Sequence, residues 1–319
     1  MISDPTAFER YRNTVTEKTT LARLVIGTAI VVFFWVAITI VVVLGGTYLA
    51  IIWQVLPSDP RGPMQGFLAS PIGVLTALTS FAGIWIGLWV AMRFIHGEPL
   101  TALFGASRRV SRSGFLKGLI AVLITSALSE VLLYWLQPEI ARGAIGLSSW
   151  LLFLIPIVAL TLLQTSSEEM LFRGYLLRGL ARRFDSPYIW ALLPAVLFTS
   201  LHWSPGSTPA INACVLASIA AFALLLTLLV YVTGNLGAAF GAHLGNNLTG
   251  FLLISHQESY NSFALFNAKP LEGPDWTTGD AVIIAAIGIA CTLLTILLLL
   301  HPRSPLRVEP DLPHPGGPV

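Results

Sequence analysis

Apolar residues along this chain fall into long runs separated by short polar stretches, near 21 to 52, 69 to 95, 115 to 136, 147 to 171, 188 to 203, 209 to 232, 235 to 256 and 279 to 300. A membrane-crossing helix needs about 20 mostly apolar residues, so the pattern predicts an all-α polytopic membrane helix bundle with about eight transmembrane helices. The fifth run is the shortest. It begins after Asp185, Ser186 and Pro187, a helix-start signal, and stops at Ser204, Pro205 and Gly206. The runs divide the chain into an N-terminal segment (1–20), helices one to three (21–146), helices four to seven (147–256), an outer loop with helix eight (257–300) and a Pro-rich tail (301–319) expected to be disordered. The first twenty residues mix acids and bases, unlike a short cleavable signal peptide, and are expected to be retained.

Composition agrees with the pattern. Of the 319 residues 55% are hydrophobic and only 11% charged, where soluble domains carry about 25% charged residues. Cys214 and Cys291 both lie in apolar runs, which argues for neither a disulfide framework nor a Cys-type metal site. The net charge of +2, with basic residues scattered over loops, argues against a nucleic-acid partner. Their distribution orients the bundle. Of 18 Lys and Arg residues, fourteen fall on the side of the N-terminus and three (Arg61, Arg142 and Lys269) on the other, with Arg173 set aside. Positive charge favours the cytoplasm, so both termini are expected there, in a bacterial plasma membrane, with substrate access from that side. No repeat of 20 to 50 residues and no duplicated half supports a repeat-built transporter.

A charged side chain within a bilayer costs at least about 2.5 to 3.5 kcal/mol, and those retained usually face the protein interior. Such residues are few here: Glu130, the cluster Glu168, Glu169 and Arg173, His202, and His243 with Asn246 and Asn247. Residues four apart share a helix face, so Glu169 and Arg173 can pair, leaving Glu168 as the better candidate for chemistry. The same spacing puts His243 with Asn247 and Phe198 with His202. Plainer roles exist for each group: a surface ion pair at a helix end, an interfacial histidine beside Trp203, and polar contacts between helices eased by Gly237, Gly241, Gly245 and Gly250.

Glu168-Glu169 followed by Arg173, Phe198 followed by His202, and His243 followed by Asn247 resemble, in order, the EExxxR, FxxxH and HxxxN motifs of the CPBP family of intramembrane proteases, the CAAX prenyl endopeptidase and bacteriocin-processing (Abi) group. The resemblance covers about residues 148 to 256. It implies an endopeptidase acting on a membrane-associated peptide or protein, with Glu168 and His202 activating water and His243 and Asn247 stabilising the oxyanion, and Glu169 and Arg173 completing the site. A carboxylate and an imidazole can relay a proton from water, and donors on another helix can bind negative charge developing on a carbonyl oxygen. Glu168, His202 and His243 would also suit zinc with an open position for water, although no HExxH motif is present. Either no cofactor or zinc is therefore expected. Two other classes remain open: a proton-coupled transporter relaying through Glu130, Glu168, His202 and His243, and a non-catalytic scaffold or immunity protein of the same fold.

Overall fold

The computed structural model describes residues 5–14, 20–55 and 62–311. Residues 1–4 and 15–19 of the N-terminal segment, with Lys18, as well as Arg61 and the last eight residues of the tail, lie outside the described residues. The first helix, α1 (Pro5–Asn13), is short. It is followed by α2 (Leu21–Ile52), α3 (Pro71–His96), α4 (Arg112–Leu136), α5 (Leu147–Ala181), α6 (Tyr188–Ser200), α7 (Pro209–Thr233), α8 (Gly237–Leu248) and α9 (Thr278–Leu300), with a seven-residue helix, Pro63–Ala69, before α3. Local chemistry sets the helix ends. The side chains of Thr20, Ser111 and Thr208 accept hydrogen bonds from Arg23, Gly114 and Ile211 N–H, which satisfies donors that have no partner in a first turn. Thr277 and Asp280 form a reciprocal capping box on α9.

Among the described residues six helices are long and apolar enough to cross a membrane: α2, α3, α4, α5, α7 and α9. The count of about eight is corrected accordingly. The fifth run is helical only over Tyr188–Ser200, because the chain turns at Leu201–Trp203 ahead of Pro205. The seventh forms α8, prolonged by a π-helical turn at Thr249–Leu253. Every residue from Gly237 to Gly245 of α8 is buried, so this helix is lined by protein and has no need of a long apolar surface. By contrast α2 exposes Val25, Phe33, Ile40, Val41 and Leu44, an apolar face larger than water-soluble proteins tolerate and suited to lipid.

Small residues bring α8 close to α4. A Cβ on Gly241 would lie 1.9 Å from the Phe115 carbonyl oxygen, and one on Gly118 would lie 2.3 Å from that of Ala238. Such direct backbone contact is how helices associate where burial from water supplies no driving force. At one end of the bundle three short strands, β1 (Ile140–Arg142), β2 (Ile254–Ser255) and β3 (Phe266–Ala268), form a sheet in the order β1-β3-β2, antiparallel for the first pair and parallel for the second.

The opposite end carries both termini and is closed. Ala7, Phe8 and Tyr11 of α1 are buried, and Phe8 packs against Trp190 and Tyr231. Burial pushes the Tyr11 phenol pKa up, keeping it protonated to donate to the Leu103 carbonyl at 2.7 Å. The tail expected to be disordered is docked over residues 301–311. Val308 is buried and its N–H bonds Leu299 O, Asp311 N–H bonds Thr233 O, and the Asp311 carboxylate accepts from Ser107 N–H. Prolines end the helix but leave the other backbone groups free to pair, and the bundle supplies the partners. Residues 312–319 lie outside the described residues.

The α4–α8 contact makes a prediction. Gly241→Ala should lower the thermal unfolding midpoint in detergent, with a loss of about 1 to 3 kcal/mol as for overpacked cores. Gly250→Ala, where a Cβ would meet nothing within 4 Å, should not lower it.

Candidate active site

α5 supplies Glu168, Glu169 and Arg173. Immediately after Glu169 the helix widens into a π-helical stretch, Met170–Leu177, a form that recurs at functional sites. Across it, Arg173 Nη1 donates to Glu169 Oε1 at 2.8 Å, and both side chains are 0% exposed. The other arm of the guanidinium, Nη2, donates to Ala223 O of α7 at 3.1 Å, while the group lies over the Phe198 ring, 4.6 Å from its centroid. Arg173 thereby joins α5, α6 and α7. A lysine ammonium lacks the planar fork that reaches both acceptors.

Glu169 Oε1 also accepts from His243 Nδ1 at 2.8 Å, bringing α8 to the same carboxylate. With Nδ1–H committed to Glu169, the other ring nitrogen, Nε2, points to Glu168 Oε2, 3.5 Å away. The remaining carboxylate oxygen, Glu168 Oε1, accepts from Gln164 Nε2 at 3.4 Å, and Gln164 Oε1 in turn accepts from Asn247 Nδ2 at 3.5 Å. Glu168, Glu169, Arg173 and His243 are therefore in direct contact, and Asn247 joins them through one residue. Gln164 was not singled out from the sequence. The available signal was its position four residues before Glu168, on the same helix face.

His202 stands apart. It lies in the turn after α6, with Nδ1–H donated to its own helix at Phe198 O, 2.9 Å away. Its ring packs on Phe198 at 4.8 Å, and Phe198 also meets His243 edge-on at 5.8 Å. Phe198 thus contacts both histidines. Its carbonyl leaves His202 Nε2 as the free nitrogen, on a residue that is exposed where His243 is buried.

Glu168, His202 and His243 are not gathered into one metal-binding group in this structure. Among the described residues no three His, Cys, Asp or Glu side chains form a group that could hold a metal, although the Nδ1 bonds of both histidines leave Nε2 as the nitrogen a metal would use. Glu130 is likewise outside the cluster. It bonds His256 Nε2 at 2.9 Å, beside a cavity of about 90 Å³ at the sheet end of the bundle that Tyr134, Lys269 and Trp276 also line. A relay from Glu130 into the cluster would have to leave that pair.

All six site residues fall between 146 and 249, the stretch that matches the protein family described as type II CAAX prenyl endopeptidase Rce1-like. This segment is similar to the Rce1-like family. The match bears out the resemblance carried by the three motifs and supports a protease of the CAAX type in a multi-pass membrane protein. The uncharacterized protein YyaK of Bacillus subtilis (strain 168) is 24% identical over 211 residues, which are 64% of this chain and 70% of YyaK. No solved structure matches the chain. The Rce1-like segment begins just ahead of α5 and runs through Asn247 of α8.

The buried Glu169–Arg173 pair can be tested by stability. Removing one partner of such a pair leaves an uncompensated charge, at a cost of about 3 to 5 kcal/mol. Arg173→Leu should show that loss in detergent unfolding, and adding Glu169→Gln should restore part of it. Equal losses in the single and double variants would mean that the stranded charge is not the cause.

Proposed function

We propose that the chain is an intramembrane endopeptidase hydrolysing a peptide bond in a membrane-associated protein or peptide. One observation carries the reading: within the Rce1-like segment, a partly exposed carboxylate, Glu168, lies against an imidazole whose other nitrogen is held by a second, fully buried carboxylate. The Glu168 side chain is 12% exposed, enough for contact with water. Glu168 and His202 Nε2 are the bases, taking the proton of an attacking water and returning it to the leaving amine nitrogen. His243, whose Nδ1 meets Glu169 and whose Nε2 faces Glu168, is the first group assigned to the oxyanion. Asn247 Nδ2 is the second donor, positioned by Gln164. Arg173 and Glu169 act through His243 and do not touch substrate. Prenylated peptides, leader peptides and membrane-protein fragments all remain within this reaction class.

Purified protein in detergent should cleave members of a fluorogenic peptide library. Glu168→Ala or His202→Ala should lower turnover by at least about 100-fold, and Asn247→Ala by about 100- to 1,000-fold. The folded protein should persist in each variant. Activity should survive a zinc chelator. Wild-type turnover in Glu168→Ala would remove the proposed base, and loss on chelation with rescue by zinc would replace the mechanism with a metal-dependent one.

A further inference from the structure

Five arginines at the end of the bundle that carries the termini take no part in the candidate site. Arg108, Arg109 and Arg112 lie where the chain enters α4, and Arg303 and Arg307 lie on the strap 301–311 that follows α9; all but the half-buried Arg307 are exposed. Elsewhere on this end arginines are paired, Arg12 with Glu9 and Asp185 and Arg178 with Glu98. Among the described residues none of the five guanidinium groups forms an ion pair or a hydrogen bond. The two stretches that carry them are nevertheless fastened together. Ser107 N–H donates to Asp311 Oδ2 at 3.0 Å, and Lys117 Nζ donates to Arg307 O at 2.7 Å. Asn235 fixes the loop before α4, accepting from Ser111 N–H at 3.0 Å and donating to Arg109 O at 2.7 Å. The nearby carboxylates are Glu309, 3.5 Å from Lys117, and Asp311, which is committed to Ser107. Positive charge is therefore in excess on a framework whose backbone is held in place.

Directly beside these cations the surface turns apolar. Leu116, Ile120 and Ile124 follow Arg112 at four-residue spacing, on one face of α4, and all three are exposed. Leu293 and Leu297 give α9 an exposed apolar face that ends next to the strap. The two helices are neighbours, joined by a hydrogen bond of 2.8 Å between the Thr125 and Thr295 hydroxyls. At 1.5 Å per residue, Leu116 to Ile124 covers about 12 Å, most of one leaflet of a hydrocarbon core about 30 Å thick. Unpaired guanidinium groups at one end of a leaflet-deep apolar strip match a molecule with a phosphate at one end and hydrocarbon below it.

We propose that the α4–α9 face at the end carrying the termini is a binding site for an anionic phospholipid, with its phosphate on Arg108, Arg109 and Arg112 and its acyl chain along Leu116, Ile120 and Ile124. Guanidinium forks suit phosphate oxygens, and basic clusters at the ends of membrane helices attract anionic headgroups. Arg303 and Arg307 reach the same headgroup from the strap, so that a bound lipid ties the strap to the start of α4. A soluble phosphate compound would use the cations alone; the apolar strip beside them commits the site to a lipid. This site is independent of the peptidase reading.

Lipid titration tests it. Full-length protein in detergent is mixed with phosphatidylglycerol or with phosphatidylcholine of the same acyl chains, bound lipid is followed by native mass spectrometry, and the thermal unfolding midpoint is recorded. Phosphatidylglycerol should bind more tightly than phosphatidylcholine and raise the midpoint. Arg109→Gln combined with Arg112→Gln should weaken phosphatidylglycerol binding about 30-fold, at roughly 5-fold for each cation removed near a membrane surface, and remove the rise in midpoint. Arg182→Gln combined with Arg183→Gln, the same loss of charge at exposed positions after α5, should leave both readouts as in wild type. Equal weakening in the two double variants would reduce the effect to general attraction by a positive surface and overturn the proposal, as would phosphatidylcholine binding as tightly as phosphatidylglycerol. Inorganic phosphate that raises the midpoint as far as phosphatidylglycerol does would also overturn it, in favour of a site for a soluble anion.

Discussion

A carboxylate and a guanidinium, each fully removed from solvent, stand 2.8 Å apart at the centre of this bundle. Charges so deeply buried carry a desolvation penalty of several kcal/mol each, which attraction offsets only when the geometry is good. The surrounding architecture supplies part of that geometry, while Glu169 Oε2 and Arg173 Nε are buried without a hydrogen-bond partner. The Ala223 carbonyl and the Phe198 face receive the guanidinium, and His243 shares the carboxylate. Four helices thus converge on one pair, and shifting any of them would strand a charge. A feature costly for stability makes the orientation of His243 difficult to alter.

The glycine contact between α4 and α8 is the complementary constraint. His243 can meet Glu169 only if α8 is held deep in the protein, which requires a neighbour without side chains in the way. Gly118 of α4 and Gly241 of α8 allow backbone to touch backbone. The polar character of α8 then causes no conflict with lipid, because α4 and its other neighbours shield its buried half.

Much of this was legible in the sequence because its causes are local. Four-residue spacing correctly joined Glu169 to Arg173, and apolar runs located all nine labelled helices except α1, whose polar character gives no span signal. What escaped depends on contacts between distant segments. Glu130 and His256 are 126 positions apart, and no periodicity relates them. Gln164 is an ordinary helix residue until Asn247 is placed across from it. Val308 and Asp311 sit in a stretch whose prolines argue against a helix, yet an irregular strand bonded to the bundle satisfies that rule equally well. The shortened α6 and the sheltered α8 also reflect tertiary context: a segment walled by protein has no reason to match the bilayer in length.

Arg10 donates to the Asp311 carbonyl at 2.9 Å, across 301 positions of chain. During synthesis, α1 emerges long before its partner, and every crossing helix must be inserted before the strap can be laid down. Closing a loop of that size carries an entropic cost that only preassembled helices can offset. The terminal end of the bundle is therefore sealed as a late step of biogenesis, and a nascent chain arrested before that step would hold its charged cluster behind an unfinished wall.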